Sequence, residues 1–181
     1  MVHLQLVFDV LQQNQLYVKL SKCAFGAIKV EYLSHIISKG VVSMDPNKTA
    51  CMLAWPTPTS TKELRGFLRL TGYYRRFIRG YGTIAKPLIE LLKKNAFNWS
   101  PTAQIAFKTL KNAIVSAHVL VLPDFTQEFI VEADASSHGI GVVLSQEGQP
   151  MAYFSKGLSS QHQTLSFYEK EMMVVLVTIK K

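Results

Sequence analysis

The stretch from Phe129 to Gln146 constrains the fold more than any other part of this 181-residue chain. An apolar run leads into an isolated carboxylate, Asp134, and a second, β-branched run begins at Ile140 after a short turn of small polar residues. Two such runs on either side of turn residues predict a β-hairpin with the carboxylate near the end of its first strand. Asp134 has two interpretations, a turn residue that caps its own loop amides or part of a reactive site, and a single carboxylate does not decide between them.

The elements predicted after this hairpin have an informative order. Pro150 to Lys156 form a third run rich in apolar residues, and an apolar helix that carries Glu169 and Glu171 opens near Tyr168. Three strands followed by a helix that bears carboxylates is a specific order of elements.

Charge is distributed unevenly along the chain. Residues 1–117 hold 16 Lys and Arg against 5 Asp and Glu, a net charge of +11, whereas residues 118–181 hold 4 against 7, a net charge of −3. The basic excess predicts a polyanionic partner for the first part, because Lys and Arg that neutralise phosphates release counterions. The alternative is that the charge serves solubility alone.

A second pattern lies in the basic part. Ser60 and Glu63 have the spacing of a capping box, which begins a helix. If that helix continues to about residue 79, its apolar residues fall on one face and its opposite face carries Arg65, Arg69, Arg76 and Arg79. We predict that these arginines contact phosphates; the alternative is an ordinary solvated face. Gly72 weakens the helix and predicts a break near its position.

The first 55 residues predict a mixture of helix and strand. Apolar residues recur at helical spacing over residues 2–13, and residues 16–20, 28–33 and 35–37 alternate as strands do. Asp45 and Pro46 begin a further helix, which must end before Pro56 because the proline ring disfavours helical geometry in the residue before it.

Two classes of protein are disfavoured by composition. Cys23 and Cys51 are the only cysteines and lack the spacing of a zinc site or a disulfide framework. No apolar run approaches the roughly 20 residues of a membrane span, and no charged region leads into a signal core. We therefore expect a soluble, intracellular protein, cytoplasmic or nuclear, with no membrane partner.

Several motifs, in order along the chain, resemble those of reverse transcriptases from gypsy-class LTR retrotransposons. D-A-S and G-I-G-V-V-L-S-Q from Asp134, P-M-A-Y-F-S-K from Pro150 and E-K-E-M from Glu169 are similar to the ribonuclease H domain of that family. K-E-L-R-G-F-L and T-G-Y-Y-R-R-F-I, between residues 62 and 78, look like its thumb. The string Tyr32-Leu33-Ser34-His35 looks like its primer grip, with serine where the family usually has glycine.

The resemblance implies an α+β chain with three parts. Residues 1–44 would be the end of the polymerase palm, with a helix and the primer-grip hairpin. Residues 45–117 would be the helical thumb and connector. Residues 118–181 would be the first part of a ribonuclease H-like domain, with three antiparallel strands and a helix.

The resemblance also implies catalytic metal ligands for Mg²⁺. Asp134 matches the family's ligand on the opening strand, and Glu171 matches the ligand on the first helix, since it stands before the apolar pair Met172-Met173. Glu169 remains a competing ligand, because on a helical wheel it lies nearer the apolar stripe.

The implied partners are a template–primer duplex or an RNA–DNA hybrid, together with other parts of the retroelement polyprotein. The chain has no adjacent Asp pair for the Y-x-D-D motif of the polymerase, and we expect the third ribonuclease H carboxylate beyond Lys181. We therefore expect a fragment of a reverse transcriptase and ribonuclease H that binds duplex and is inactive alone. The alternatives are a non-catalytic nucleic-acid-binding module, an inert retroelement relic and a helical interaction protein.

Overall fold

The structure is a computed structural model that describes residues 2–179. Met1, Lys180 and Lys181, at the ends of the predicted first and third parts, lie outside the described residues. Helix α1 spans Val2–Gln13, as its periodicity predicts, and its apolar Leu6, Val7 and Val10 are each more than half exposed.

The strand predicted at residues 16–20 is wrong. The chain there is irregular and ends in a short 3₁₀ turn, Leu20–Lys22. An alternating segment becomes a strand only where a neighbouring strand takes up its hydrogen bonds, and the next alternating segment pairs elsewhere.

A four-stranded antiparallel sheet follows, in the order β1, β2, β3, β4. Its strands are Lys29–Tyr32, His35–Ser38, Val41–Met44 and Leu120–Val121. The last strand pairs with β3 through Val41 and Val121. The first and third predicted parts of the chain therefore share a sheet.

Four helices surround the larger core, and local sequence explains where three of them begin. They are α2 (Pro46–Ala54), α3 (Thr61–Tyr73), α4 (Tyr81–Glu90) and α5 (Pro101–Val115). The side chains of Asp45, Ser60 and Ser100 accept hydrogen bonds from first-turn amides of α2, α3 and α5. The fully buried rings of this core belong to Phe67, Tyr74 and Phe77. No helix within residues 2–179 is long and apolar enough to cross a membrane.

The second sheet contains the predicted hairpin. Its antiparallel strands are β5 (Ile130–Ala135), β6 (Gly139–Gln146) and β7 (Gln149–Gly157), and helices α6 (Ser160–Gln163) and α7 (Phe167–Ile179) follow. Three antiparallel strands and a following helix are thus present, as expected.

The two faces of the second sheet have different neighbours. One face packs against α7, where Ala135, Ile140, Val142 and Val174 form a small core. The other face meets α4 so closely that a Cβ atom on Gly82 would lie 2.6 Å from the backbone oxygen of Ser155. The Gly82 amide donates a 2.7 Å hydrogen bond to the hydroxyl of Ser155. The helical part and the second sheet are therefore tightly docked.

Candidate nucleic-acid interface

The turn between β1 and β2 is the centre of the candidate interface. Tyr32 pairs with His35, so the loop contains only Leu33 and Ser34. Both have positive φ, +47° and +58°, as a two-residue turn of the I′ type requires. Glycine takes this conformation without steric cost. The structure thus gives a reason for the family's glycine at position 34, and serine there occupies the same left-handed region.

Two tyrosines at the end of α3 hold this turn. Tyr73 donates a 2.6 Å hydrogen bond to the carbonyl of Leu33, and Tyr74 donates a 2.9 Å hydrogen bond to the carbonyl of Ser34. Burial raises the pKa of Tyr74 to about 12, so its hydroxyl remains a donor above pH 10, where an ordinary tyrosine ionises.

His35 anchors the base of the turn. Its ring stacks on Phe77 with centroids 5.5 Å apart and also contacts the rings of Tyr73 and Tyr74. Its Nδ1 lies 2.8 Å from the carbonyl oxygen of Leu33. Of the predicted primer-grip residues, His35 and Ser34 are therefore half-buried, whereas Tyr32 and Leu33 are more than 60% exposed.

The four predicted arginines do not form one helical stripe. Helix α3 ends at Tyr73, a 3₁₀ turn spans Arg75–Phe77, and Gly80 has a φ of +72°. Of the four arginines, Arg65 and Arg69 alone lie on α3 and share one of its faces. The helix thus ends one residue after Gly72, near the break predicted from that glycine.

Two of the arginines instead lie on either side of the turn. Arg69 and Lys48 line a groove of about 370 Å³ together with Ser34. Arg76 lines a second groove of about 320 Å³ together with Tyr32 and Leu33. Tyr73 lines both grooves and separates them. The turn thus lies between two basic grooves.

Arg79 lies with the carboxylates of the second sheet. It lines a cleft of about 380 Å³ with Thr83, Glu132 and Asp134. Alternate residues of a strand point to opposite faces, and Ala133 and Ala135 pack toward α7. Glu132 and Asp134 therefore face away from that helix and toward Arg79.

The two helical carboxylates have different environments. Glu169 accepts hydrogen bonds of 2.8 Å from the amide and the hydroxyl of Ser166, which caps α7. These bonds lower the pKa of Glu169, with the backbone bond the larger cause. Glu171 is half-buried and does not line the Asp134 cleft. Glu169 therefore belongs to the N-terminal cap of α7.

The residues present do not fit a complete Mg²⁺ centre. Within residues 2–179, no group of three or more His, Cys, Asp or Glu side chains is placed to hold a metal ion. Asp134 opens into a cleft that it shares with a cationic guanidinium, and Glu171 lies outside that cleft.

Sequence reasoning missed three contributors to these surfaces. Tyr73 and Tyr74 have no role at the turn that the sequence indicates, and the one general signal is that a buried tyrosine hydroxyl, such as that of Tyr74, usually finds a partner. Glu132 lines the cleft, and its position two residues before Asp134 was the signal that both share one face of the strand.

Comparison with known proteins defines the class first. Residues 99–181 match the family described as the RNase H-like domain found in reverse transcriptase. The fold agrees: a foamy viral protease-reverse transcriptase in complex with double-stranded DNA superposes with a TM-score of 0.85 at 23% identity, over 98% of this chain and 32% of that chain. The same enzyme in complex with an RNA/DNA hybrid gives a TM-score of 0.84 at 21% identity, over 98% and 25%.

Sequence relatives then define the family. The Pol polyprotein from transposon 297 of Drosophila melanogaster is 37% identical over 179 residues, 98% of this chain and 17% of the polyprotein. The Pol polyprotein from transposon gypsy of the same species is 33% identical over 192 residues, 99% and 19%. An uncharacterised mitochondrial protein of Arabidopsis thaliana is 51% identical over 132 residues, 72% of this chain and 84% of that protein.

This chain belongs to the gypsy-class LTR retrotransposon Pol family, and the expected ancestry is confirmed. It spans less than a fifth of the length of the transposon polyproteins that it matches.

Proposed function

We propose that this fragment binds nucleic-acid duplex, a template–primer or an RNA–DNA hybrid, through the surface around the Leu33–Ser34 turn. The observation that carries the proposal is the pair of basic grooves on either side of that turn, with Arg69 and Lys48 in one and Arg76 in the other. Arginine suits this role because its planar guanidinium binds phosphate oxygens bidentately. The foamy viral structures, which contain double-stranded DNA and an RNA/DNA hybrid, support the choice of partner.

The residues around the turn have separate roles in this proposal. Tyr32, Leu33, Ser34 and His35 form the primer grip, in which the exposed Tyr32 and Leu33 face the duplex and the half-buried His35 fixes the hairpin. Arg69 and Arg76 contact phosphates on the two sides. Arg65 is exposed one turn before Arg69 on α3 and extends the basic surface along the helix.

A salt titration tests duplex binding. A labelled 20-base-pair RNA–DNA hybrid is titrated with the protein at increasing salt, and the logarithm of the affinity should fall linearly with the logarithm of the salt concentration. Arg69→Gln and Arg76→Gln should each reduce that slope by about 1. Lys93→Gln is the matched control, because Lys93 is exposed and lines neither groove. Absence of binding at low salt would refute the proposal.

We further propose that the isolated chain neither polymerises nucleotides nor cleaves RNA in a hybrid. Asp134 and Glu171 are proposed as two of the family's Mg²⁺ ligand positions, but the carboxylates of the described residues do not complete a metal site. Ribonuclease H chemistry on two metal ions needs several carboxylates that converge. Mg²⁺-dependent cleavage of a hybrid that disappears in Asp134→Asn would contradict this proposal.

A further inference from the structure

The turn at Leu33 and Ser34 is unusual because neither residue is glycine. Turns of this type are dominated by Gly, Asn and Asp, since both central residues must adopt positive φ. Leucine and serine at φ of +47° and +58° have sterically strained backbones, and contacts elsewhere in the protein must offset that strain. The turn therefore needs support from outside its own hairpin.

The support comes from residues 40 positions away in the sequence. The hydroxyls of Tyr73 and Tyr74 each donate to one of the two central carbonyls of the turn, at 2.6 Å and 2.9 Å. The Leu33 carbonyl can accept from both Tyr73 and the Nδ1 of His35, because a carbonyl oxygen has two lone pairs. Both central carbonyls of the turn are thus bonded by adjacent residues at the end of α3.

Tyr73 is placed to do more than fill space. Its side chain is 48% exposed, so a core-packing requirement does not explain it, whereas Tyr74 is fully buried. Tyr73 is also the residue shared by the Arg69 groove and the Arg76 groove. Its hydroxyl therefore bonds to the backbone of the turn, while its side chain lines both grooves.

We infer that Tyr73 and Tyr74 are positioning residues that hold the Leu33–Ser34 turn in its left-handed conformation and so fix the exposed Tyr32 and Leu33 between Arg69 and Arg76. This inference rests on the proposed duplex binding for its functional consequence. The two hydrogen bonds from Tyr73 and Tyr74 to the turn, called the clamp below, are a property of the free protein. A duplex strand that crosses the turn would then meet a preformed surface and would not have to order a flexible loop.

The test uses Tyr73→Phe, which keeps the ring and removes only the hydroxyl, and Tyr74→Phe as a second variant. Loss of one neutral hydrogen bond should weaken binding of the RNA–DNA hybrid about fivefold. Adding Ser34→Gly to Tyr73→Phe should restore most of that loss, because glycine adopts positive φ without a clamp. A residue with a purely structural role elsewhere would not be rescued in this way. Tyr17→Phe is the control, since Tyr17 is 98% exposed and far from the turn in sequence.

A second measurement separates the clamp from duplex binding. In the free protein, backbone carbon NMR shifts and three-bond HN–Hα couplings of Leu33 and Ser34 report their φ angles, and we expect left-handed values that Tyr73→Phe shifts toward averaged ones. Unchanged values in Tyr73→Phe and Tyr74→Phe would overturn the inference, as would hybrid affinity equal to wild type in both. If the wild-type protein binds no hybrid, the proposed function fails and the NMR result alone decides the clamp.

Discussion

Replacing Gly82 with alanine should weaken the contact between helix α4 and strand β7 of the second sheet. The added Cβ would lie 2.6 Å from the oxygen and 2.8 Å from the carbonyl carbon of Ser155, and 2.9 Å from the Cα of Lys156. All three atoms are backbone atoms of β7, so no side chain can rotate out of the way. The helix must move, and the hydrogen bond from the Gly82 amide to the Ser155 hydroxyl is lost with it.

The magnitude follows from opposing terms. Overpacking at a tight contact costs roughly 1–3 kcal/mol, and the lost hydrogen bond costs about 1 kcal/mol more. Alanine in a helix regains about 0.5–1 kcal/mol relative to glycine. We expect a net loss of about 2 kcal/mol in the free energy of unfolding.

Gly66→Ala is the matched control. Gly66 lies inside α3, and a Cβ there would meet only the Trp55 ring at 3.4 Å, an ordinary van der Waals distance. The same substitution should therefore stabilise the protein by about 0.5–1 kcal/mol through helix propensity. Urea denaturation followed by tryptophan fluorescence and by circular dichroism measures both variants. If Gly82→Ala were as stable as wild type, the close docking of α4 on β7 would be refuted.

Three further predictions concern single side chains. The buried side chain of Gln146 forms hydrogen bonds with the amide and carbonyl of Asp124 and with the carbonyl of Gln127. Gln146→Leu should lower the free energy of unfolding by about 2–3 kcal/mol. A loss below about 0.5 kcal/mol in urea denaturation would contradict the role of these bonds. The backbone and hydroxyl bonds from Thr59 hold the pKa of Glu63 below its usual 4.5. A depressed carboxyl pKa stabilises the fold above pH 4.5, and that stability is lost as pH falls through the folded pKa. Glu63→Gln should therefore flatten the acid limb of the curve of unfolding free energy against pH, and an unchanged limb would count against this cap. Burial raises the pKa of Tyr74 to about 12, and it also raises the pKa of Tyr81 and Tyr153. A raised phenol pKa stabilises the fold below pH 10, and that stability is lost as pH rises through the folded pKa. Absorbance titration of Tyr74→Phe should therefore show one late-ionising tyrosine fewer than wild type, and an equal number in both proteins would exclude the assignment.

Local chemistry in the sequence was sufficient for many elements. Asp45 and Ser60 cap the helices they were expected to begin, and α2 ends at Ala54, before Pro56. The hairpin around Asp134 and the helix with Glu171 also form as predicted. Caps, prolines and turn residues affect backbone conformation only a few residues away, so their effect can be predicted from the local sequence.

Features that depend on distant partners were less predictable. Residues 16–20 have the pattern of a strand but no partner strand, and the arginines from 65 to 79 have the spacing of a stripe on a helix that ends at Tyr73. The end of the helix near Gly72 was predicted from the sequence, but the resulting distribution of the arginines was not. The absence of a strand at residues 16–20 was decided by pairing, because a strand forms only where a neighbouring strand takes up its hydrogen bonds.

The sequence by itself determined the ancestry of this protein, the basic charge of its first part and the strand that carries Asp134, because these are recorded in residue identity and short-range order. Only the tertiary structure decided how the arginines are distributed. It places Arg69 and Arg76 on either side of a turn held by Tyr73 and Tyr74, and it turns Arg79 toward Asp134. The physical reason is that hydrogen bonds and close backbone contacts between residues 40 or more positions apart leave no periodic signal in the chain.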